Sequence, residues 1–169
     1  KHGAPDLTWS VTMENYANDY LRTCSKGHNY ALLNAGKAGE NIASGFSAGT
    51  DFKSWEWAVN AWYDREIGNY NYNKPSWNDK VGHFTQLVWK GTTSVGCGKI
   101  LTCGPGTAPS GKKYPNVYRY LCNYYPPGNQ LAKGPNGNLI PDAAAYKENV
   151  LPIGSRYVST LQCCNTARI

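Results

Sequence analysis

The chain has 169 residues, of which 17% are charged and 13% are aromatic, and its formal net charge is +6. A chain of this length forms one domain, or one domain with a tail. The aromatic content excludes intrinsic disorder, because disordered chains lack the apolar surface that offsets chain entropy. No apolar run approaches the ~20 residues that a bilayer-spanning helix needs.

The positive charge is spread along the chain, and the longest basic run is the pair Lys112 and Lys113. A nucleic-acid-binding surface needs clustered Lys and Arg, so we expect no nucleic-acid partner. A basic protein of this kind should have some affinity for anionic membrane surfaces or polysaccharides. The opening residues, KHGAPDLTWS, hold no basic segment followed by an apolar one, so any secretion signal has been removed or never existed.

The cysteines indicate disulfides rather than a metal site. Their number is even, and they form no CxxC or Cys/His zinc spacing. Disulfides persist in oxidising compartments, so we expect a secreted, extracellular protein. The six are Cys24, Cys97, Cys103, Cys122, Cys163 and Cys164.

Two helices are predicted in the first half of the chain. The first has Ser10 as its N-cap and carries an apolar stripe at helical spacing. The second begins near Thr50 or Asp51, both favourable N-caps, and Gly68 is positioned to end it. The first stripe consists of Met13, Tyr16, Ala17, Tyr20, Leu21 and Cys24, and the second of Phe52, Trp55, Val59, Trp62 and Tyr63.

A loop and then a sheet are predicted to follow the helices. Residues 69–82 are rich in Asn, Pro and Gly and indicate the loop. Helices followed by hairpin-connected strands indicate an α+β fold. After Asn129 the chain becomes Gly/Pro-rich and then polar, which predicts an extension with little core of its own. The strand signals lie at 84–89, 94–100 and 116–125, with a long turn at 104–115.

A G-x-S-x-G match centred on Ser47 is followed by Asp64 or Asp79 and then by His83, the order found in α/β-hydrolases. That chemistry needs a strand-to-helix turn at the top of a parallel sheet. The preceding segment, GENIAS, does not predict a buried strand, and the chain lacks alternating strand–helix units. We therefore interpret the match as a chance one.

Two carboxylates and a histidine form a second candidate group. Glu40, Glu66 and His83, with His28 as a further member, could hold a divalent ion or carry out acid–base chemistry if the fold brings them together. The alternative is that each caps a turn or forms a surface ion pair. Spacing alone favours the alternative.

Three large aromatic residues form a third candidate group. Tyr70, Tyr72 and Trp77 lie in a polar loop that should be exposed. They either fold back onto the core or line an apolar ligand site. The composition does not separate these two interpretations.

Several segments together resemble the CAP superfamily of cysteine-rich secretory, antigen-five and pathogenesis-related class-one proteins. The resemblance covers roughly residues 5–129 and is nearest to the fungal secreted branch, which includes the yeast sterol-exporting members. The segments are GHFTQLVW at 82–89, VGCG at 95–98, YLCNYYPPGN at 120–129, AGENIA at 38–43 and WY at 62–63.

The resemblance implies a three-layer α-β-α sandwich with a central antiparallel sheet. It implies a CAP domain over residues 1–152 and a C-terminal extension over 153–169, with 146–152 as the closing strand. The family's first helix normally precedes a segment like residues 6–10, and we expect it to be nearly absent here.

The resemblance also implies a cavity with two His and two Glu. Glu40, Glu66 and His83 match three of these positions. Asn34 falls near the fourth, where the family has a His, and His28 would need a loop insertion to reach it. An amide is a weaker transition-metal ligand than imidazole, so we expect weak zinc binding. Mg²⁺, which takes oxygen ligands, is the alternative ion. We expect no obligatory cofactor.

Two disulfides are implied by the resemblance, Cys97–Cys122 and Cys24–Cys103. The first would join two neighbouring strands, and the second would tie the first helix to the sheet. Cys163 and Cys164 have no family counterpart and are expected to bond elsewhere or between chains.

The function implied by the resemblance is binding and export of sterols or fatty acids. The loop with Tyr70, Tyr72 and Trp77 lies where the family's lipid-binding aromatic loop should be, and a groove between helices is the second family site. A protease using the Glu/His cleft, or a receptor-binding signalling or virulence protein, is the alternative. We expect no catalytic residues, because no nucleophile has a matched base.

Overall fold

The computed structural model describes residues 1–156. The helices are α1 (Val11–Arg22), α2 (Tyr30–Asn34), α3 (Trp55–Trp62), α4 (Gly82–Leu87) and α5 (Ala143–Asn149), with a 3-10 turn at Ile67–Asn69. The strands are β1 (Thr8–Trp9), β2 (Gly39–Ser47), β3 (Ser94–Ile100), β4 (Gly106–Thr107), β5 (Lys113–Tyr114), β6 (Asn116–Tyr125), β7 (Leu131–Lys133) and β8 (Leu139–Pro141).

The main sheet has four strands in the order β1-β3-β6-β2. β6 pairs antiparallel with both neighbours, and Cys122 lies opposite Cys97 on β3 and opposite Asn41 on β2. β1 adds two residues in parallel, so the sheet is mixed rather than wholly antiparallel. Helices cover both faces, and the predicted α+β three-layer sandwich is confirmed.

Helix α1 covers one face of the sheet as predicted. The Ser10 hydroxyl accepts a hydrogen bond from the Met13 N–H (3.3 Å), which satisfies one free donor of the first turn. Ala17 and Leu21 are buried against Leu121 of β6.

Helix α3 covers the opposite face but is shorter than predicted. It begins at Trp55 rather than near Thr50 or Asp51, because the Thr50 carbonyl accepts the Phe52 N–H in a local turn instead of starting a helix. It ends at Trp62, well before Gly68. The buried side of α3 packs on the aromatic residues that β6 turns to this face, namely Tyr118, Tyr120 and Tyr124.

The strand predicted at 84–89 is wrong, because Gly82–Leu87 forms helix α4. Two contacts favour the helix over the β-propensity of the segment. The Glu66 carboxylate accepts the N–H groups of His83 (2.9 Å) and Phe84 (3.0 Å) in the first turn. The Thr85 hydroxyl donates to the Val81 carbonyl at 3.0 Å, one helical turn earlier.

The segment GENIAS is a strand, so the first of the two reasons for rejecting a hydrolase was wrong. β2 pairs with β6 along its whole length and is largely buried. Its glycines leave room for neighbours, since side chains of Gln86 and Tyr118 lie where Cβ atoms of Gly39 and Gly45 would be. The pairing is antiparallel, and the Ser47 hydroxyl donates to the Gly49 carbonyl (3.0 Å), so no nucleophile elbow forms.

Residues after Asn129 contribute to the core, contrary to prediction. Residues 146–149, expected in the closing strand, belong to helix α5, and Tyr146 is buried edge-on against Trp89. Cys163, Cys164 and the rest of the expected extension after residue 156 lie outside the described residues.

Within residues 1–156 no helix has both the length and the apolar character to cross a membrane. Residues 1–7 form no helix.

Both disulfides implied by the resemblance are present. Cys24, just after α1, is bonded to Cys103, which follows β3. Cys97 and Cys122 join β3 to β6.

Truncation of Leu121 should reveal how strongly α1 depends on the sheet. Leu121 is fully buried, whereas Leu139 in the β7–β8 hairpin is 66% exposed. We expect Leu121→Ala to lower the free energy of unfolding by about 2–5 kcal/mol, because it leaves a cavity under α1. Leu139→Ala should change it by less than about 0.5 kcal/mol. Urea unfolding of both variants measures the difference, and equal losses would contradict the packing described here.

Candidate functional site

A polar cleft of about 330 Å³ opens at the free edge of β2, where the start of that strand meets the first turn of α4. β2 is the last strand of the sheet, so residues from both faces can approach each other around its edge. The lining residues are His28, Tyr30, Glu40, Asn41, Trp77, Asp79, Gly82, His83 and Asn129.

Glu40 is held on the α1 side of the sheet by several donors. Its Oε1 accepts from His28 Nδ1 (2.8 Å) and from the Asn29 N–H (3.1 Å). In the amide orientation that satisfies both its polar atoms, Asn123 donates to Glu40 Oε2 at 3.3 Å. Glu40 and Asn123 are directly paired in the β2–β6 register, so they share a face.

The residue beside Glu40 is therefore His28. Asn34, which was predicted to take the place of the family's histidine, does not hold that position. Asn34 ends helix α2 and makes no hydrogen bond to Glu40 within the described residues. The 24–29 segment brings His28 to Glu40. Its geometry is fixed by the Tyr20 hydroxyl, which donates to the His28 carbonyl (3.0 Å), and by a left-handed Gly27 (φ 80°).

Glu66 makes an equivalent contact to His83 on the other side of the sheet edge. Its Oε1 accepts from His83 Nδ1 at 2.6 Å, while its Oε2 accepts the two backbone N–H groups that begin α4. Asn41 joins this side to β2, because its amide donates to the His83 carbonyl (3.1 Å). The carboxylate thus fixes both the helix start and the imidazole orientation.

The four groups form two separate pairs, and no cluster of three or more His, Cys, Asp or Glu within residues 1–156 could hold a metal. The reason is topological, since Glu40 and Asn41 alternate to opposite faces of β2. Each carboxylate orients one imidazole through Nδ1, the arrangement in which a histidine offers Nε2 to a metal. Two imidazoles fall short of the four ligands usual for zinc.

The aromatic loop is mostly exposed, as expected, but two of its three rings turn inward onto the core, which is one of the two interpretations that the composition left open. Tyr70 is 7% exposed and packs with Phe84 and Tyr146. Tyr72 packs edge-on against Tyr70 with ring centroids 4.9 Å apart. Trp77 is 43% exposed and lies at the mouth of the cleft.

The hydroxyls beneath this loop lack hydrogen-bond partners. Those of Tyr70, Tyr72 and Tyr146 are buried and find no partner among the described residues. Burial raises the pKa of Tyr70 to about 12 and raises the pKa of Tyr72 and Tyr146 as well. All three phenols are therefore neutral donors at physiological pH.

Sequence reasoning missed two residues that shape the site. Asn123 orients Glu40, and Asn41 anchors α4 to the sheet. Their signal is the polar residue at a buried strand position, which requires a partner inside the protein.

Comparison with known proteins agrees with this fold and identifies the family. Residues 1–124 match the cysteine-rich secretory protein (CAP) family. The chain is 43% identical over 147 residues to Protein PRY2 of Saccharomyces cerevisiae, covering 87% of this chain and 35% of that protein. It is 35% identical over 154 residues to Repressed by EFG1 protein 1 of Candida albicans, covering 89% and 48%.

Solved structures support the fold alone. Na-ASP-1 superimposes with a TM-score of 0.55 at 21% identity, over 76% of this chain and 31% of that one. The chain spans less than half the length of PRY2 and of Repressed by EFG1 protein 1.

The chain belongs to the CAP family of cysteine-rich secretory proteins. Its fungal relatives are consistent with a fungal member. The family description and the two disulfides fit an extracellular protein.

Neutralising Glu66 should loosen the start of α4. In Glu66→Gln one carboxylate oxygen becomes an amide donor that faces His83, so we expect a loss of about 1–3 kcal/mol in the free energy of unfolding. Glu56 is exposed on α3, and Glu56→Gln is the matched control, with little change expected. Urea unfolding compares the two variants, and an equal effect would show that Glu66 is not a structural anchor.

Weak zinc binding remains a prediction, now for a different reason. Two imidazoles without a third protein ligand should give dissociation constants weaker than about micromolar. Calorimetric titration with zinc at neutral pH measures the affinity, and His83→Asn should remove most of the remaining heat. Sub-micromolar affinity would mean that the two pairs move together to form one site.

Proposed function

We propose that this chain is a secreted, extracellular lipid-binding protein that takes a sterol beneath the loop of residues 70–81, with fatty acid as a second ligand class. We also propose that it exports such lipids and takes part in host interaction, which the family resemblance supports. The observation that carries the proposal is the half-exposed Trp77 indole, which belongs to a loop whose other aromatic residues pack on an apolar cluster.

Trp77 offers the apolar face that a flat, rigid ring system would contact. It lies against Gly82 at the start of α4, where an added Cβ would be 2.7 Å from Trp77 Nε1. A glycine at this position therefore lets the indole lie close to the helix.

The residues packed beneath the loop would supply an apolar floor and polar groups to a ligand once the loop lifts. Val81, Phe84 and Val88 form the floor together with Tyr70. A buried hydroxyl without a partner costs about 1–3 kcal/mol, and a hydrogen bond from the Tyr70 or Tyr72 hydroxyl to the sterol hydroxyl would offset that cost. Entry requires the loop to lift, which exposes these groups to the ligand.

The energies are compatible with moderate affinity. Burying ~300 Å² of sterol at ~25 cal/mol per Å² contributes about 7 kcal/mol before association costs. A micromolar dissociation constant corresponds to about −8 kcal/mol. The ring contacts and the hydroxyl hydrogen bonds must therefore both contribute.

No specific observation favours the two alternatives. The Glu/His cleft has no Ser, Thr or Cys among its lining residues, so a protease would lack a side-chain nucleophile there. No particular feature of the described surface distinguishes a receptor-binding signalling or virulence protein. Contact with anionic membrane surfaces or polysaccharides is consistent with the net charge of +6.

Replacing the exposed indole tests the proposal. We expect Trp77→Ala to weaken the binding of a fluorescent sterol at least about tenfold, because it removes the ring that covers the ligand. Trp9 is 57% exposed on β1, away from the loop, and Trp9→Ala is the matched control. Tyr72→Phe should weaken binding less, since it removes only a hydroxyl. Truncating Tyr70 is unsuitable, because its ring is part of the core.

A fatty-acid titration of the same variants separates the two lipid sites. If fatty acid uses a groove between helices, Trp77→Ala should bind it normally. Equal sterol binding by Trp77→Ala, Trp9→Ala and the native protein would exclude this loop from the mechanism.

A further inference from the structure

Arg119 is a buried cation with no acidic partner. It lies in the middle of β6, is 6% exposed, and has no carboxylate within 4.0 Å among residues 1–156. Leaving a charge buried without a counter-charge is unfavourable, because the charge loses its hydration. Glu40, the other buried charge on this face, pairs in register four residues further along, about 13 Å away.

Only part of the guanidinium is used by the fold. One Arg119 nitrogen, Nη1, donates to the Ser25 carbonyl and holds the turn after α1. A guanidinium carries further N–H donors on Nε and Nη2, and these make no hydrogen bond within the described residues. Neither atom is among the fully buried polar atoms that lack a partner, so each keeps some exposed area.

The unused donors belong to a residue that lines a separate cavity of about 310 Å³. This cavity shares no lining residue with the Glu/His cleft. Lys26 is a second cation on its lining, and no Asp or Glu lines it. Phe46, Pro105 and Val117 supply apolar walls. The lining thus combines two cations with apolar side chains and has no acidic residue.

The walls are held in place by covalent and backbone contacts. The Cys24–Cys103 disulfide forms one side of the cavity. The Cys103 N–H donates to the Val117 carbonyl (2.8 Å), and the Val117 N–H donates to the Gly104 carbonyl (2.9 Å). A site that is already formed loses little conformational entropy when a ligand binds.

We propose that this cavity binds a compact organic carboxylate with an apolar group. The carboxylate pairs with the Arg119 guanidinium, for which it has the matching planar geometry, and Lys26 adds a second positive charge. The apolar group lies against Phe46 and Val117. The volume is at the low end for small-molecule sites, so the ligand is smaller than a sterol. This site does not depend on the function proposed above.

Three small probes separate charge from apolar contact. Benzoate has both features, benzyl alcohol keeps the ring without the charge, and acetate keeps the charge without the ring. We expect benzoate to bind at least about tenfold more tightly than either of the other two, because charge and ring contribute together. Nuclear magnetic resonance titration measures the affinities, and the amide shifts should move at Phe46, Thr107 and Val117.

Variants assign the binding to the two cations. Arg119→Gln should weaken benzoate binding at least about tenfold, and Arg119→Lys should be intermediate, because an ammonium lacks the planar fork. Lys26→Ala should weaken binding by about two- to fivefold, since Lys26 is exposed and screened. Lys147 is exposed on α5, and Lys147→Ala is the matched control, with no change expected.

Each outcome decides the proposal. Absence of benzoate binding, equal binding of benzyl alcohol, or benzoate shifts that map elsewhere would overturn it. So would unchanged affinity in both Arg119→Gln and Lys26→Ala. If circular dichroism shows that Arg119→Gln does not fold, the comparison of Lys26→Ala with Lys147→Ala decides: a loss confined to Lys26→Ala supports the site, and equal affinities overturn it.

Discussion

The pairing of β6 on both of its edges is the constraint on which the rest of the structure depends. Each hydrogen-bonded neighbour fixes which face every β6 side chain occupies. Tyrosines alternate to the α3 face, while Leu121 and its like-facing neighbours meet α1. A slip of one residue would exchange the two sets, and the Cys97–Cys122 disulfide, which joins directly paired residues, would no longer be in register.

The same register explains why Glu40 and Arg119, two buried charges on one face of the sheet, have different numbers of hydrogen-bond partners. Glu40 lies beside the edge of the sheet, where the 24–29 turn and Asn123 supply donors on several sides. Arg119 lies past the end of α1, where a single backbone carbonyl is its hydrogen-bond partner among the described residues. The apolar layer formed by Leu121 and Ile42 separates them. Both charges therefore depend on local donors or acceptors rather than on each other.

In the Glu66–His83 pair, one carboxylate has two structural roles. Glu66 accepts hydrogen bonds from two backbone N–H groups as well as from His83, so it fixes both the start of α4 and the orientation of the imidazole. The aromatic loop follows Glu66 in the chain and packs on the same helix through Phe84. The aromatic loop and the cleft therefore both contact α4, and a displacement of this helix would move both.

The sequence by itself determined the family, the α+β class, helix α1 and the strands β3 and β6. These features are carried by apolar periodicities and motifs within single segments, which do not depend on contacts from elsewhere in the chain. The sequence could not place β2, whose glycines hide the strand pattern, or α4, whose β-prone residues are helical only because Glu66 caps them. His28 and the burial of Tyr70 likewise depended on contacts between residues distant in the chain. Tertiary structure decided these features, since a carboxylate or an apolar floor supplied from elsewhere outweighs a local preference of less than about 1 kcal/mol.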